Sequence, residues 1–369
     1  MKRIMQTLLL LIATLSGAVS ETAFAQTEGS SDEDLREAIR LIQSGTSLDK
    51  ALSAAQQAAR TLPKSHLANF LQYQAYISMA GGDPIQAPPA VKSSPDAHRE
   101  LVNESKARGK LVSVPKGALP SAVIQIGPGT DTVLLVESER SRLWILNRKG
   151  DSVTVVANHY VTVGQQGVGK EREGDRKTPL GVYRIQSEIP GAKLIDFYGP
   201  LALPLDYPNP MDRARAKTGS GIWVHGVPAD RYARPPLASD GCVVLANEDL
   251  LALRKYAKPG RTTVVVVPQT NWLSPTAWRT MASNQLAELP IEMFQKVAAN
   301  GGSGSNGSVG TNGANGTKEN AARSVYHLEA ERTMVAEYID RRGQSVRDYW
   351  KREGGRWVPY LDATAAAVH

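Results

Sequence analysis

The chain holds one cysteine, Cys242, and a histidine, His225, seventeen positions before it. A thiol attacks as thiolate, and an ordinary cysteine ionises only near pH ~8.5. An imidazole close in space lowers that barrier by taking the proton. The apolar run 222–224 delivers His225, a loop containing Pro and Arg follows, and the chain returns through Ser239, Asp240 and Gly241 to Cys242. Small residues and an Asx-type turn former before a thiol suit a tight turn whose backbone N–H groups converge on one spot. An oxyanion hole needs that arrangement. A lone cysteine is also a small buried hydrophobe in most proteins, so the residues around it must decide. None of the six histidines stands at metal-ligand spacing with the cysteine, and neither a metal nor a cofactor is expected.

His225-Gly226, a loop, then Ser239-x-Gly241-Cys242 and the apolar 243–245 resemble the signature of the L,D-transpeptidases, the YkuD-domain family. The upstream stretch Gly174-Asp175-x-x-Thr178-Pro179-x-Gly181-x-Tyr183 is similar to the one that precedes the active site in that family. Together the likeness covers about residues 122–268. It implies that Cys242 attacks the carbonyl of the third-position diamino acid in a peptidoglycan tetrapeptide stem. His225 takes the thiol proton through one ring nitrogen while the Gly226 carbonyl holds the other. Ser239 and Gly241 shape the turn and the oxyanion site. D-Ala leaves, and an amine or water resolves the thioester. Asp240 departs from the family, most of which has His there; that His is not the general base. A branch with Asp at this place includes proteins resembling L,D-carboxypeptidases that control cell shape. Arg234 could hold a stem carboxylate or be a plain surface residue. Tyr198, in the region that forms part of the substrate wall, could line the cleft or simply pack.

Two other readings compete. A papain-like protease wants Cys before His, and here the order is reversed. A peptidoglycan-binding or regulatory protein with a decayed site would not keep the His225-Gly226 and Ser239-x-Gly241-Cys242 set. A further match, Gly164 to Lys170, satisfies G-x-x-x-x-G-K, but Glu171 follows where a phosphate loop needs Ser or Thr. No nucleotide or nucleic-acid partner is expected.

The elements that position these residues follow from composition and period. Residues 1–25 combine Lys2 and Arg3, an apolar run over 8–19 and Ala23-Phe24-Ala25. This predicts a cleaved secretory signal, an exported protein of the periplasm or cell envelope, and no transmembrane segment after its removal. An unpaired thiol in an oxidising compartment calls for a functional explanation. The net charge of +7 suits contact with an anionic polymer, although a mildly basic secreted protein is often just soluble. Apolar residues at helical spacing predict a tetratricopeptide-like helical module over 26–82, either a docking surface for a protein partner or a packing element. A linker and helix over 83–112 come next. Short alternating runs separated by turn residues predict the mainly β catalytic domain over 113–270, a YkuD-like mixed sheet in view of the resemblance. A helical extension over 271–300, a Gly/Ser/Asn tether over 301–318 and a small β-rich C-terminal segment over 319–369 complete the chain.

Overall fold

The computed structural model describes residues 33–84, 95–110, 114–150, 152–289, 323–339 and 345–361. The secretory signal, residues 85–94 of the 83–112 linker and helix, residues 290–300 of the 271–300 extension and the 301–318 tether lie outside the described residues.

The catalytic domain is built on a sheet of five strands. Their order is Ser152–Tyr160, Arg142–Lys149, Thr132–Glu137, Thr262–Val267, Gly181–Arg184. Thr132–Glu137 and Thr262–Val267 pair in parallel, Thr132 against Thr262, and the other pairs are antiparallel. Both central strands are buried along their whole length, which explains their continuous apolar reading. Successive side chains point to opposite faces, and the two faces feed two cores. Val133, Leu135, Trp144, Leu146, Val265 and Val267 enter one. Leu134, Val136, Leu143, Ile145, Val264 and Val266 enter the other.

The second core is roofed by the strands that carry the candidate site. These form a four-stranded sheet in the order Val243–Val244, Trp223–His225, Leu201–Pro204, Ile189–Pro190. Leu201, Leu203, Val224 and Val243 point down into that core. The helix Asn247–Arg254 adds Leu250 and Leu253.

The first core is closed by the C-terminal strands. Arg356–Leu361, Ser345–Glu353, Thr333–Ile339 and Ser324–Leu328 form an antiparallel sheet whose fifth strand is Val123–Gln125. The small β-rich segment is therefore continuous with the catalytic domain. Val123 and Ile124 are both fully buried, so this strand needs cover on both faces and finds it there. The helix Pro275–Ala287 starts with Ser274 capping the Ala277 N–H at 3.3 Å. Its Trp278 indole donates to the carbonyls of Pro120 and Val123.

One buried carboxylate ties the sheets together. Glu337 accepts from Arg184 Nε at 3.1 Å, Arg347 Nε at 2.9 Å, Thr263 Oγ1 at 2.5 Å and Ser345 Oγ at 3.1 Å. Arg347 also reaches Asp206 at 2.7 Å. Burial alone would raise the Glu337 carboxyl; the guanidiniums of Arg347 and Arg184 outweigh it and hold it well below the usual carboxylate range.

The N-terminal helices α1 (Glu33–Ser44), α2 (Leu48–Thr61) and α3 (His66–Met79) pack through Leu35, Ala38, Ile39, Ala55, Ala58, Leu67, Ala68 and Leu71. Alanine at the contacts lets the helix axes approach closely. Ser65 caps α3 by accepting from the Ala68 N–H. The same core takes in Tyr232 and Ala246 of the catalytic domain, so one face of the helical module is a packing face. Helix α4, Pro95–Gly109, contributes Leu101 and Val102 to it.

Glu337→Gln leaves two buried guanidiniums facing a neutral amide. Breaking a buried pair by removing one partner costs about 3–5 kcal/mol, and urea denaturation at pH 7 should show a loss of that order. A depressed carboxyl contributes stability above its unfolded value, 4.5 here, and loses it as pH falls toward the folded value. The difference between wild type and variant should shrink as pH drops below that value.

Candidate active site

The Trp223–His225 strand is pinned from both sides. It runs antiparallel to Leu201–Pro204 and parallel to Val243–Val244, with Val224 opposite Val243 and His225 opposite Val244. This register brings the residue just before Val243 alongside Trp223, whose N–H points at Cys242 Sγ from 3.5 Å. Sγ lies 3.5 Å from the Gly221 carbonyl oxygen, to which the thiol donates. Val224 faces the core, so period two puts Trp223 and His225 together on the opposite face. Sequence distance between histidine and cysteine is thus closed by one parallel strand pair.

His225 is almost wholly buried, 1% exposed. Its Nδ1 lies 2.7 Å from the Gly226 carbonyl oxygen. A carbonyl can only accept, so Nδ1 carries the proton, and Nε2 is left as the ring's acceptor. Burial lowers the His225 pKa to about 4; the Gly226 carbonyl opposes this and the Arg234 charge adds to it. Burial also pushes the Cys242 thiol up, against the pull of the Trp223 N–H and Arg234. At neutral pH the resting pair is therefore a thiol and a neutral imidazole.

Gly226 is fixed by its surroundings. Its N–H donates to the Tyr198 carbonyl at 2.9 Å. A Cβ there would stand 2.2 Å from Asn247 Oδ1. Asn247 in turn holds both backbone groups of Val227 with the two ends of its amide, accepting from Val227 N at 2.9 Å and donating to Val227 O at 3.0 Å. Across the cleft, Ser239 Oγ accepts from Gly241 N at 3.1 Å and donates to Cys242 O at 2.6 Å. The Gly241 N–H is committed to that contact, so these two residues buckle the turn, and Gly241 offers no free N–H to an oxyanion. Gly241 has φ +125°, and a Cβ would meet the Lys177 carbonyl at 2.7 Å, so no other residue fits.

A cavity of about 330 Å³ opens over these groups. Cys242, His225, Tyr198, Phe197, Arg234 and Asp240 line it, with Lys170 and Glu173 on the far side. The Tyr198 ring meets His225 edge-on at 5.0 Å and Trp223 at 4.9 Å. Arg234 donates to the Phe197 carbonyl at 3.2 Å, and its guanidinium lies 4.3 Å over the Phe197 ring. Asp240 is exposed at the mouth and accepts from Gln165 Nε2 at 3.2 Å. Among the described residues no group of three or more His, Cys, Asp or Glu side chains could hold a metal ion.

Residues 131–266 match the family model of the L,D-transpeptidase catalytic domain, YkuD. This segment is a YkuD domain. No curated protein matches the chain. Similar solved structures include Bd1075 of Bdellovibrio bacteriovorus, 21% identical over 66% of this chain and 99% of that one, with a TM-score of 0.46. Another is the helical cell shape determining protein Pgp2 of Campylobacter jejuni, 17% identical over 65% and 93%, TM-score 0.45. An L,D-transpeptidase of Stackebrandtia nassauensis is 13% identical over 56% and 80%, TM-score 0.29.

Two parts of the YkuD site carry no isolated signal in the sequence. Asn247 reads there only as the start of a short helix, yet its side chain reaches back twenty positions to the His225-Gly226 turn. Asp175 reads as a turn residue, and it organises the whole far wall. It accepts from Lys170 Nζ at 2.8 Å and from the N–H groups of Glu171, Arg172 and Lys177. Burial works against its charge, but those donors hold its carboxyl well below the usual range. Lys170, the lysine of the phosphate-loop look-alike, is thereby occupied. Thr178 accepts from the Gly164 N–H at 2.9 Å and joins the two glycine-rich stretches.

The depressed His225 pKa has a consequence for stability that is independent of any substrate. The unfolded chain binds the proton near pH 6.5 and the folded chain only near 4. Between those values the unfolded state holds more protons, so stability falls as pH falls, by roughly 1.4 kcal/mol per pH unit from this group. His225→Gln should remove that share of the slope, which urea denaturation at pH 7, 6 and 5 measures. An unchanged slope would mean that the imidazole is not desolvated.

Proposed function

We propose that this chain is an exported peptidoglycan acyltransferase that works through a cysteine thioester on tetrapeptide stems. The observation that carries the reading is the neutral pair on one strand face: the Cys242 thiol beside the Trp223 N–H, and a buried His225 whose Nδ1–H is spent on Gly226. Nε2 is then the base. As Sγ attacks the carbonyl of the third-position diamino acid, the S–H proton passes to Nε2 and an S–C bond forms. The C–N bond to D-Ala breaks, and the same proton leaves with the D-Ala amine. An acceptor amine next gives its proton to Nε2 and attacks the thioester; the C–S bond breaks and the thiol is reprotonated. The Cys242 N–H supplies the oxyanion contact, since that of Gly241 is engaged. One strong donor of this kind is worth about 3–4 kcal/mol. Arg234 faces the stem carboxylate, and Tyr198 packs His225 and walls the cleft. None of the described helices is long and apolar enough to cross a membrane.

A second outcome is favoured by one observation. Asp240 presents an exposed carboxylate at the mouth, which attracts a cationic acceptor amine but also holds water. Water in place of the amine gives an L,D-carboxypeptidase that trims tetrapeptide to tripeptide.

Purified mature enzyme incubated with tetrapeptide muropeptides should form some 3–3 linked dimer or exchange D-Ala for an added D-amino acid, as read by mass spectrometry. Tripeptide and free D-Ala alone, even with abundant acceptor, would move the assignment to the carboxypeptidase. Binding without any product would leave a peptidoglycan-binding protein. Cys242→Ala should abolish turnover with the fold intact. His225→Ala should lower kcat/KM by about 10²–10⁴-fold, the usual contribution of a general base. The acid limb of the wild-type kcat/KM profile should fall near the pKa of about 4 for His225 and not near 6.5; a midpoint at 6.5 would contradict the buried-base reading.

A further inference from the structure

The loop 226–236 leaves the Trp223–His225 strand, carries Arg234 into the cavity and returns at the Leu237–Ser239 strand. Its outer side is held by the helical module. Lys64 Nζ donates to the Ala229 carbonyl at 2.5 Å. Tyr232 is buried in the helical core. Most specific is a chain of contacts that starts on α4. Arg108, 2% exposed, is paired with Glu104 one turn earlier at 2.9 Å. Its guanidinium lies 3.8 Å over the Tyr160 ring and 5.6 Å from that of Tyr232. The Tyr160 hydroxyl donates to the backbone carbonyl of Arg234 at 3.1 Å, while the Thr162 hydroxyl lies 2.7 Å from the Pro235 carbonyl and 3.0 Å from that of Arg234.

A helix that had only to bury a face would place an aliphatic residue where Arg108 stands, because desolvating a guanidinium and a carboxylate is costly. A cation over an aromatic face is directional, and desolvation strengthens it. It fixes where the Tyr160 ring lies, and the ring fixes where its hydroxyl points. We infer that Arg108 is a positioning residue for Arg234, acting through Tyr160, and that the helical module braces the wall of the cavity that bears its positive charge. The inference rests on the reading of Arg234 as the group that faces the anionic part of the substrate. Displacement of a binding group by about 1 Å is enough to cost a large factor in rate.

Cys242 is the only cysteine in the chain, which permits a test without substrate. The rate of its alkylation by iodoacetate, divided by that by iodoacetamide, reports the positive charge felt at the thiol. Arg234→Gln should lower this ratio by about threefold or more. The double variant Glu104→Gln/Arg108→Met, which removes the buried pair without stranding either charge, should lower it in the same direction by at least half as much on a logarithmic scale. Tyr160→Phe, which deletes only the hydroxyl, should give a smaller fall of the same sign. Arg108→Lys should restore most of the ratio. With tetrapeptide muropeptide, the double variant should raise KM and leave kcat within about twofold, the split that a displaced binding group produces. If the double variant does not fold by circular dichroism, Tyr160→Phe decides. A wild-type ratio in the folded double variant or in Tyr160→Phe, with Arg234→Gln lowered, overturns the inference. So does an unchanged ratio in Arg234→Gln. Absence of D-Ala release by the wild type would remove the functional reading and leave the alkylation ratios standing as a test of the brace.

Discussion

The fold depends on the central sheet being covered on both faces. Thr132–Glu137 and Thr262–Val267 bury every residue, and alternate side chains supply two separate cores. Neither face tolerates water, because each side chain buried there contributes about 1.5–3 kcal/mol. One face is closed by the short strands that hold histidine and cysteine. The other is closed by a sheet made from the end of the chain and one strand from its middle. The site is therefore the outer surface of a layer whose inner surface is core, and Val224 and Val243 anchor the residues on either side of them.

Within that layer the chemistry is set by burial more than by charge. The imidazole and thiol are both kept neutral by desolvation. Charged groups stand around them: Arg234 on one wall, Lys170 neutralised by Asp175 on another, Asp240 in water at the mouth. A neutral acid–base pair ringed by fixed charges stores no ion pair that substrate must first disrupt. The backbone around it is correspondingly fixed, with the Gly226 N–H bonded to the Tyr198 carbonyl, its Cα packed against Asn247, and the cysteine turn buckled by Ser239.

Much of this was legible in the sequence. Short, near-continuous apolar runs such as 132–136 and 262–267 announce strands, and the helical spacing of Leu35, Ala38, Ile39 and Ile42 announces a helix. His225 and Cys242 drew attention because their types and flanking glycines are uncommon together. What stayed hidden was long-range. Alternation in 122–126 reveals a strand but not the sheet it joins, and Val123–Gln125 leaves its neighbours for partners near residue 325. A turn of small residues suggests free N–H groups, and only the side chain of Ser239 shows that one is taken. Asn247 and Asp175 act through contacts across loops, which no local pattern records. Tyr160 looks like the end of a strand until Arg108 is seen above it.

The pairing of Val123–Gln125 with Ser324–Leu328 has a kinetic meaning. Gln125 reaches the Arg323 carbonyl across 198 positions of sequence, and pairings of such high contact order form slowly because a long loop must close first. In an emerging polypeptide Cys242 is made well before the strands that seal the first core. Until those strands arrive, the domain has an open hydrophobic face and no completed scaffold beneath its cleft. Assembly is thus ordered by topology: strands that begin about eighty residues after Cys242 complete the layers beneath it, so a product stalled before them would carry the thiol without the surroundings that hold it.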